Sequence, residues 1–336
     1  MRRIVLSRPD RLGDVIITSS LLPILYAAWG DVELHWLIAR PFHPLFQDHP
    51  LLSGLIFKDQ AAQALKSLRP DAIIHFHPDP LIEKAAAEVG IPHRIGYRRS
   101  CWSTSLTTAA MDDRPMGLKH EAVYALDLAS HLHPLPRIVN KLKPSLSLRK
   151  SVSLLNKLSP SAILSEYAVI NPSAHSQSLR WPWENFLELS RWLWKTHDLK
   201  TILICGEADD LSIQILSKAM TSEDLPYINL AGRLELDELA LLLSRAKLHV
   251  ARDTGTSHLA AAMGCPQVEI FMRNYGKYSV TRWQALASRS VIVRPNLDQE
   301  FFESNPGFWS RCAQSISVGS VCHAVQQALA FPHATE

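Results

Sequence analysis

The chain has 336 residues, 47% of them apolar and 20% charged, with a formal net charge of +3. That size predicts a soluble globular protein with a sizeable core, more readily two domains than one. No window approaches the roughly eighteen consecutive apolar residues of a membrane span, and "MRRIVLSRPDRLGD" breaks into Arg, Pro and Asp too early for a secretory signal, so a cytoplasmic location is the default expectation.

Short β-branched runs alternate with helical patterns along the first half. Residues 2–8 read as a buried strand, 14–30 as one helix stopping at Gly30, and 32–39 as the next strand. A helix-like "HPLFQDHPLL", a strand "GLIF", a helix around "QAAQALKSLR", a strand over 71–76, a helix ending at Gly90 and a strand "HRIGY" follow. Residues 134–162, rich in Pro, Ser and Lys, read as an interdomain connector. A second series then begins, with strands at 167–173, 200–206 and 247–252 and helices at 183–197, 236–246 and 257–264. "PQVEIF" (266–271) closes the regular series, and "VCHAVQQALA" forms a final amphipathic helix. This alternation predicts an α/β fold with mostly parallel sheets covered on both faces.

Five cysteines without C-x-x-C spacing (Cys101, Cys205, Cys265, Cys312, Cys322) argue against a zinc site and a disulfide framework, and read as reduced, mostly buried thiols. The histidines of "HFHPDP" and "HLHP" lack metal-ligand spacing and read as surface or polar-core residues. Arg2, Arg3, Arg8 and Arg11 crowd the start, and Arg94, Arg98 and Arg99 gather in "HRIGYRR"; such clusters meet an anionic partner or form a solvated basic face. They are not interleaved with stacking aromatics, so nucleic acid is not an expected partner.

In an open parallel sheet, ligands gather beyond the carboxyl ends of the strands, where loops enter helix N-termini. "DTGTS" (253–257) stands at such a join, with a Gly permitting close backbone approach, three hydroxyls and unpaired helix N–H groups. It reads as a phosphate cradle or as ordinary capping by Asp253, Thr254 or Ser257. "NPSAHSQSLRWPWENF" repeats the theme, with Arg180 either a guanidinium fork for phosphate or a surface Arg beside a packing Trp. In "RPDRLGDVIIT", Asp14 stands at a helix start as a general base or an N-cap. Neither G-x-G-x-x-G nor G-K-[ST] is present, which disfavours nicotinamide and P-loop chemistry.

Together and in order, "RLGDVIIT", "GIPHRIGY", "VINPSAHSQSLRWPWENFLELS" and "NLAGRLELDELALLLSRAKLHVARDTGTSHLAAAMGCP" resemble the family 9 glycosyltransferases, the bacterial heptosyltransferases of lipopolysaccharide core assembly. The resemblance spans nearly the whole chain. It implies the GT-B arrangement: a Rossmann-like acceptor domain over residues 1–150, a Rossmann-like nucleotide-sugar domain over 151–318, and a helix over 319–336 packing back toward the first domain. It further implies inverting, metal-independent transfer from ADP-heptose to the Kdo or heptose inner core, with no cofactor, at the cytoplasmic face of the inner membrane through weak peripheral contact. Asp14 matches the catalytic base. Arg180 falls where the family usually has Lys on the donor phosphates. Asp253, Thr254, Gly255 and Thr256 match the pyrophosphate turn, and His258 follows one helical turn on. Glu207, preferred over Asp209, matches the ribose ligand, and Leu234 the adenine pocket. Arg11, Arg98 and Arg99 are the expected basic lining for the lipid-linked acceptor.

Three departures stand out. Arg replaces Lys at 180, Ser20 replaces a Pro in the first helix, and "IFMRNYGKYSVTRW" replaces the Gly-Pro-Thr-x-Pro segment bordering the donor sugar and phosphates. The alternatives are a family 9 transferase using another nucleotide sugar, a sugar-nucleotide epimerase and a non-catalytic sugar-nucleotide-binding relative.

Overall fold

The computed structural model of the chain describes residues 2–98, 105–136, 142–148, 166–173, 180–206, 210–295 and 306–331. The chain divides into two compact units, Met1–Arg149 and Lys150–Glu336.

The first unit contains, in chain order, β1 (Arg2–Ser7), α1 (Leu12–Ser19), α2 (Leu22–Trp29), β2 (Val32–Ile38), β3 (Gly54–Phe57), α3 (Ala61–Leu68), β4 (Ala72–His75), α4 (Pro80–Val89), β5 (His93–Tyr97), β6 (Thr108–Ala110) and α5 (Glu121–Ala129). The strands form one parallel sheet ordered β3-β2-β1-β4-β5-β6, so the winding reverses between β1 and β4. Val5 pairs with His35 on one side and Ile73 on the other. Central strands buried on both faces need continuous apolar runs, which is why "IVL" and "AII" stand there. On one face Val5, Leu37 and Ile73 pack against Leu65 of α3 and Ile82 and Ala86 of α4.

The expected single helix over 14–30 is two. Thr18, Ser19 and Ser20 hydroxyls donate to the carbonyls of Asp14, Ile16 and Ile17, and Pro23 has no N–H for the carbonyl four residues before it. The Leu12–Trp29 stretch has the length and apolarity of a membrane span, but it carries this break and 61% of it is buried within the protein. β6 is a strand that the sequence pattern did not reveal. Part of the expected connector belongs to the first unit: Ser145 N–H donates to Ser19 Oγ at 2.9 Å, and Ser147 N–H to the Leu45 carbonyl at 2.9 Å.

The second unit contains β7 (Tyr167–Asn171), α6 (Trp183–His197), β8 (Lys200–Leu203), α7 (Leu211–Ser222), β9 (Tyr227–Asn229), α8 (Leu236–Arg245), β10 (Leu248–Arg252), α9 (Gly255–Ala262), β11 (Gln267–Ile270), α10 (Val280–Trp283), β12 (Ser290–Val293), α11 (Pro306–Ser315) and α12 (Val318–Leu329). Its parallel sheet runs β12-β11-β10-β7-β8-β9, which from the β9 edge is the winding of the first unit repeated. The switch point lies between β7 and β10, where Val250 pairs with Ile170. The regular series therefore continues past "PQVEIF" by one strand, β12, paired with β11.

The C-terminal helix was expected against the first domain. Instead, α12 buries Val321, Ala324, Val325 and Ala328 in the core of the second unit, beside Leu189 and Leu193 of α6 and Val268 and Ile270 of β11. Each valine buried there contributes roughly 1.5–3 kcal/mol, which holds the helix to its own sheet.

Candidate active site

The loop after β1 turns into α1 with Arg11 at the N-cap and Asp14 in the first turn. The capping explanation for Asp14 therefore fails, because the carboxylate is inside the helix and turned onto Arg8. Arg8 is 2% exposed and holds three acids at once: Asp14, Asp10 with Nε to Oδ1 at 3.0 Å, and Glu121 at the start of α5 at 3.0 Å. It also donates to the Phe76 carbonyl just beyond β4 at 3.0 Å. Burial opposes the charge on Arg8, but Asp14, Asp10 and Glu121 outweigh it and keep the guanidinium protonated.

The same setting divides Asp14 of α1 from Asp10 of the preceding loop. Burial pushes Asp14 above the usual carboxylate range, Arg8 pulls it back in part, and Asp10 and Glu121 add to the rise. Burial also acts to raise Asp10, but Arg8 and the His77 ring, 3.3 Å away, hold it below that range. Beside them Arg114 forks onto Asp112 at 2.7 and 2.8 Å, donates to the Phe76 carbonyl at 3.1 Å and stacks 3.7 Å over Tyr97. The cluster thus presents a raised carboxyl, a fit candidate for accepting a proton from a hydroxyl.

Of the expected acceptor residues, Arg11 is exposed at the α1 cap and Arg98 is exposed just beyond β5, both on the carboxyl edge that carries Asp14. Arg99 lies outside the described residues. The two basic clusters do not exist as read: Arg3 faces Glu33 and Asp71 at the far end of β1, and Arg94 is bound to the carbonyls of Ser105 and Ile91. A recess of about 400 Å³ lined by His43, Phe46, His49 and Phe57 lies at the β2–β3 side and holds none of the candidate residues.

In the second unit, Thr254 is at the N-cap of α9, yet its hydroxyl meets Thr256 Oγ1 at 2.9 Å rather than a backbone amide. Ser257 Oγ donates to the Arg252 carbonyl, and Asn171 Nδ2 at the end of β7 donates to Thr256 Oγ1 at 3.2 Å. Side-chain capping is thus absent, and the first-turn amides of Gly255 and Thr256 have no intrahelical partner, the arrangement that suits an anion. Asp253 is exposed at the turn, and His258 is buried in α9. Leu234 is half-buried ahead of α8. Glu207 and Asp209 lie outside the described residues.

Arg180 is not a free surface residue. It donates to Ser212 Oγ at 2.6 Å and pairs with Asp210, the N-cap of α7, at 3.1 Å. Its neighbour Trp181 is buried edge-on to Phe186 and donates to the Ile316 carbonyl at 2.9 Å, which anchors the loop.

The sequence profile of glycosyltransferase family 9 (heptosyltransferase) matches residues 63–304. The chain belongs to that family. Among family 9 proteins, the lipopolysaccharide heptosyltransferase 2 of Escherichia coli is 23% identical over 311 residues, 87% of this chain and 88% of its own length. A family 9 glycosyltransferase structure from Veillonella parvula matches with a TM-score of 0.77 at 19% identity, over 98% of this chain and 97% of that one. The E. coli ADP-heptose lipopolysaccharide heptosyltransferase II structure matches at 0.75 and 21% identity, over 98% of both chains. The fold is the GT-B class, two Rossmann-like domains in one chain. Family 9 membership makes the chain a transferase and replaces the epimerase and non-catalytic readings.

Sequence reasoning passed over Arg8 as an anchor, and over Asp10, His77, Arg114, Glu121, Asp210 and Arg252. Arg8 and Asp10 had a signal, since charges abut the end of a fully buried strand. Glu121 had none, as it meets Arg8 from 113 residues away.

Glu269 of β11 is fully buried, receives the Ser290 hydroxyl at 2.5 Å and is raised to about 7 by burial, with Ser290 opposing and Asp253 adding to the rise. The unfolded chain releases this proton near 4.5, so between 4.5 and 7 the folded chain binds more protons and stability falls as pH rises. Over that window the loss is about 3 kcal/mol. Urea unfolding of Glu269→Gln against the parent at pH 5, 6, 7 and 8 is expected to give a difference that changes by about that amount. A pH-independent difference would refute it. His75 and His249, both pulled down to about 4 by burial, slope the opposite way and cancel in the comparison.

Proposed function

We propose that the chain transfers heptose from ADP-heptose to a hydroxyl of the Kdo or heptose inner core of lipopolysaccharide, by inversion and without a metal ion. The observation carrying this reading is the uncapped start of α9 at Asp253-Thr254-Gly255, with Arg252 at the end of β10 and Arg180 in the loop beyond β7, in a chain belonging to family 9. The names of its relatives, an ADP-heptose enzyme among them, support the donor.

In this reaction Asp14 takes the proton of the acceptor hydroxyl as its oxygen attacks the anomeric carbon from the face opposite ADP. The bond from that carbon to the β-phosphate oxygen breaks, and its electron pair leaves on ADP. One displacement inverts the centre. The amides of Gly255 and Thr256 and the neighbouring arginines take up the charge on the departing diphosphate, a task that a divalent cation performs in other transferases. Leu234 lines the adenine, Glu207 holds the ribose and His258 backs the phosphate turn. Arg11, Arg98 and Arg99 meet the acidic groups of the lipid-linked acceptor at the cytoplasmic face of the inner membrane, with peripheral contact only.

Titration calorimetry of ADP, UDP and GDP without divalent metal tests the donor. ADP is expected to bind at least about tenfold more tightly, the equivalent of about 1.4 kcal/mol. A preference for UDP or GDP would discard ADP-heptose, and binding of none would remove the donor site from the second unit.

A further inference from the structure

Arg252 ends β10 with 8% of its surface exposed, and its Nε has no hydrogen-bond partner among the described residues. Buried guanidinium groups ordinarily meet carboxylates or carbonyls, because an uncompensated buried ion is costly. Its electrostatic neighbours are Asp253, Arg273 and Arg180. These stand in the loops beyond β10, β11 and β7, three adjacent strands, which puts the guanidinium at the carboxyl edge of the sheet. Burial, with Arg273 and Arg180 against it and Asp253 in its favour, brings its pKa down to about 10. Two cations therefore stand near a third that has no hydrogen-bonded acid among the described residues.

The three arginines are not equivalent. Arg180 is already answered by Asp210 and Ser212. Arg273, half-buried, stacks 3.5 Å over Tyr278. It belongs to the segment replacing the family's Gly-Pro-Thr-x-Pro, so that departure brings a cation to the site. Beside them are the uncapped amides of α9, a second feature selecting for an anion.

We propose that Arg252, seconded by Arg273, is the principal diphosphate-binding pair of this chain, taking the charge of an unmetallated diphosphate ahead of Arg180. This rests on reading the second unit as the donor domain. A planar fork meets two phosphate oxygens at once, and burial strengthens the attraction. As the glycosidic oxygen departs with its electron pair, that charge develops beside a preorganised cation.

The test is calorimetric titration of inorganic pyrophosphate and of ADP in chelator, with the parent, Arg252→Gln, Arg252→Lys, Arg273→Gln and Arg180→Gln. Pyrophosphate affinity is expected to fall about thirtyfold in Arg252→Gln, about fivefold in Arg273→Gln and less in Arg180→Gln, with Arg252→Lys between parent and Gln. Should Arg252→Gln lose its cooperative thermal transition, Arg252→Lys and the half-buried Arg273→Gln decide by the same readout. Parent-like pyrophosphate affinity in the folded Arg252 and Arg273 variants, or a parent that does not bind pyrophosphate, overturns the assignment. Nucleotide choice is a separate readout: loss of ADP selectivity with the pyrophosphate pattern intact removes ADP-heptose and leaves the Arg252 subsite standing.

Discussion

Asp14→Asn is expected to lower turnover by about a thousandfold while donor affinity and thermal stability stay near the parent. The asymmetry follows from the Arg8 cluster. Asn keeps the shape, and Arg8 retains the half-buried Asp10 and the buried Glu121 as counter-ions, so the fold loses one of three acids around one base. The proposed reaction, by contrast, loses its proton acceptor entirely. With the proposed donor and lipid acceptor, single-turnover rates separate this from a binding defect. A rate within tenfold of the parent would transfer the role of base elsewhere. The pH profile supplies an independent check: because Asp14 sits above the ordinary carboxylate range, the acid limb of the parent should lie correspondingly higher than that of a solvated Asp.

The largest stability effect belongs to Arg8→Met. Removing the cation leaves Asp14 without its ion-pair partner and Asp10 and Glu121 with His77 and Arg114 as their remaining basic neighbours, and breaking a buried pair of this kind costs about 3–5 kcal/mol. The stranded carboxyls bind protons more tightly folded than unfolded, so the variant regains stability as pH falls, whereas a simple cavity would give a constant loss. Chemical unfolding at pH 8 and pH 5.5 distinguishes the two. Adding Asp14→Asn to Arg8→Met should restore part of the loss, and strict additivity of the two changes would argue against the cluster.

Legibility differed by position in the sheet. β1, β4 and β7 declare themselves, since strands covered on both faces carry unbroken apolar runs, and β10 does so despite His249 within it. β6, "TAA", and β12, only half-buried, lie at the edges and carry little such signal. The break between α1 and α2 is hidden because apolar spacing runs straight through it, and only the three hydroxyls and Pro23 mark it. Within the site, the loops after β1 and β10 are readable as local strings of Gly, Asp and Thr. Arg252 adjoins the most conspicuous of those strings and reads as a strand end, because its arginine neighbours come from the loops beyond β7 and β11. Long-range charge pairing has no local period.

The repeated winding of the two sheets has a chemical consequence. At the switch point of the first, Arg8 and Arg114 sit among Asp10, Asp14, Asp112 and Glu121, an excess of carboxylates. At and beside the switch point of the second, among the described residues, Arg180, Arg252 and Arg273 outnumber Asp210 and Asp253. One topology thus serves as a common mould cast twice with opposite polarity. For the proposed transfer this is a division of labour: the acidic casting draws a proton off the incoming oxygen, and the basic casting keeps hold of the outgoing anion.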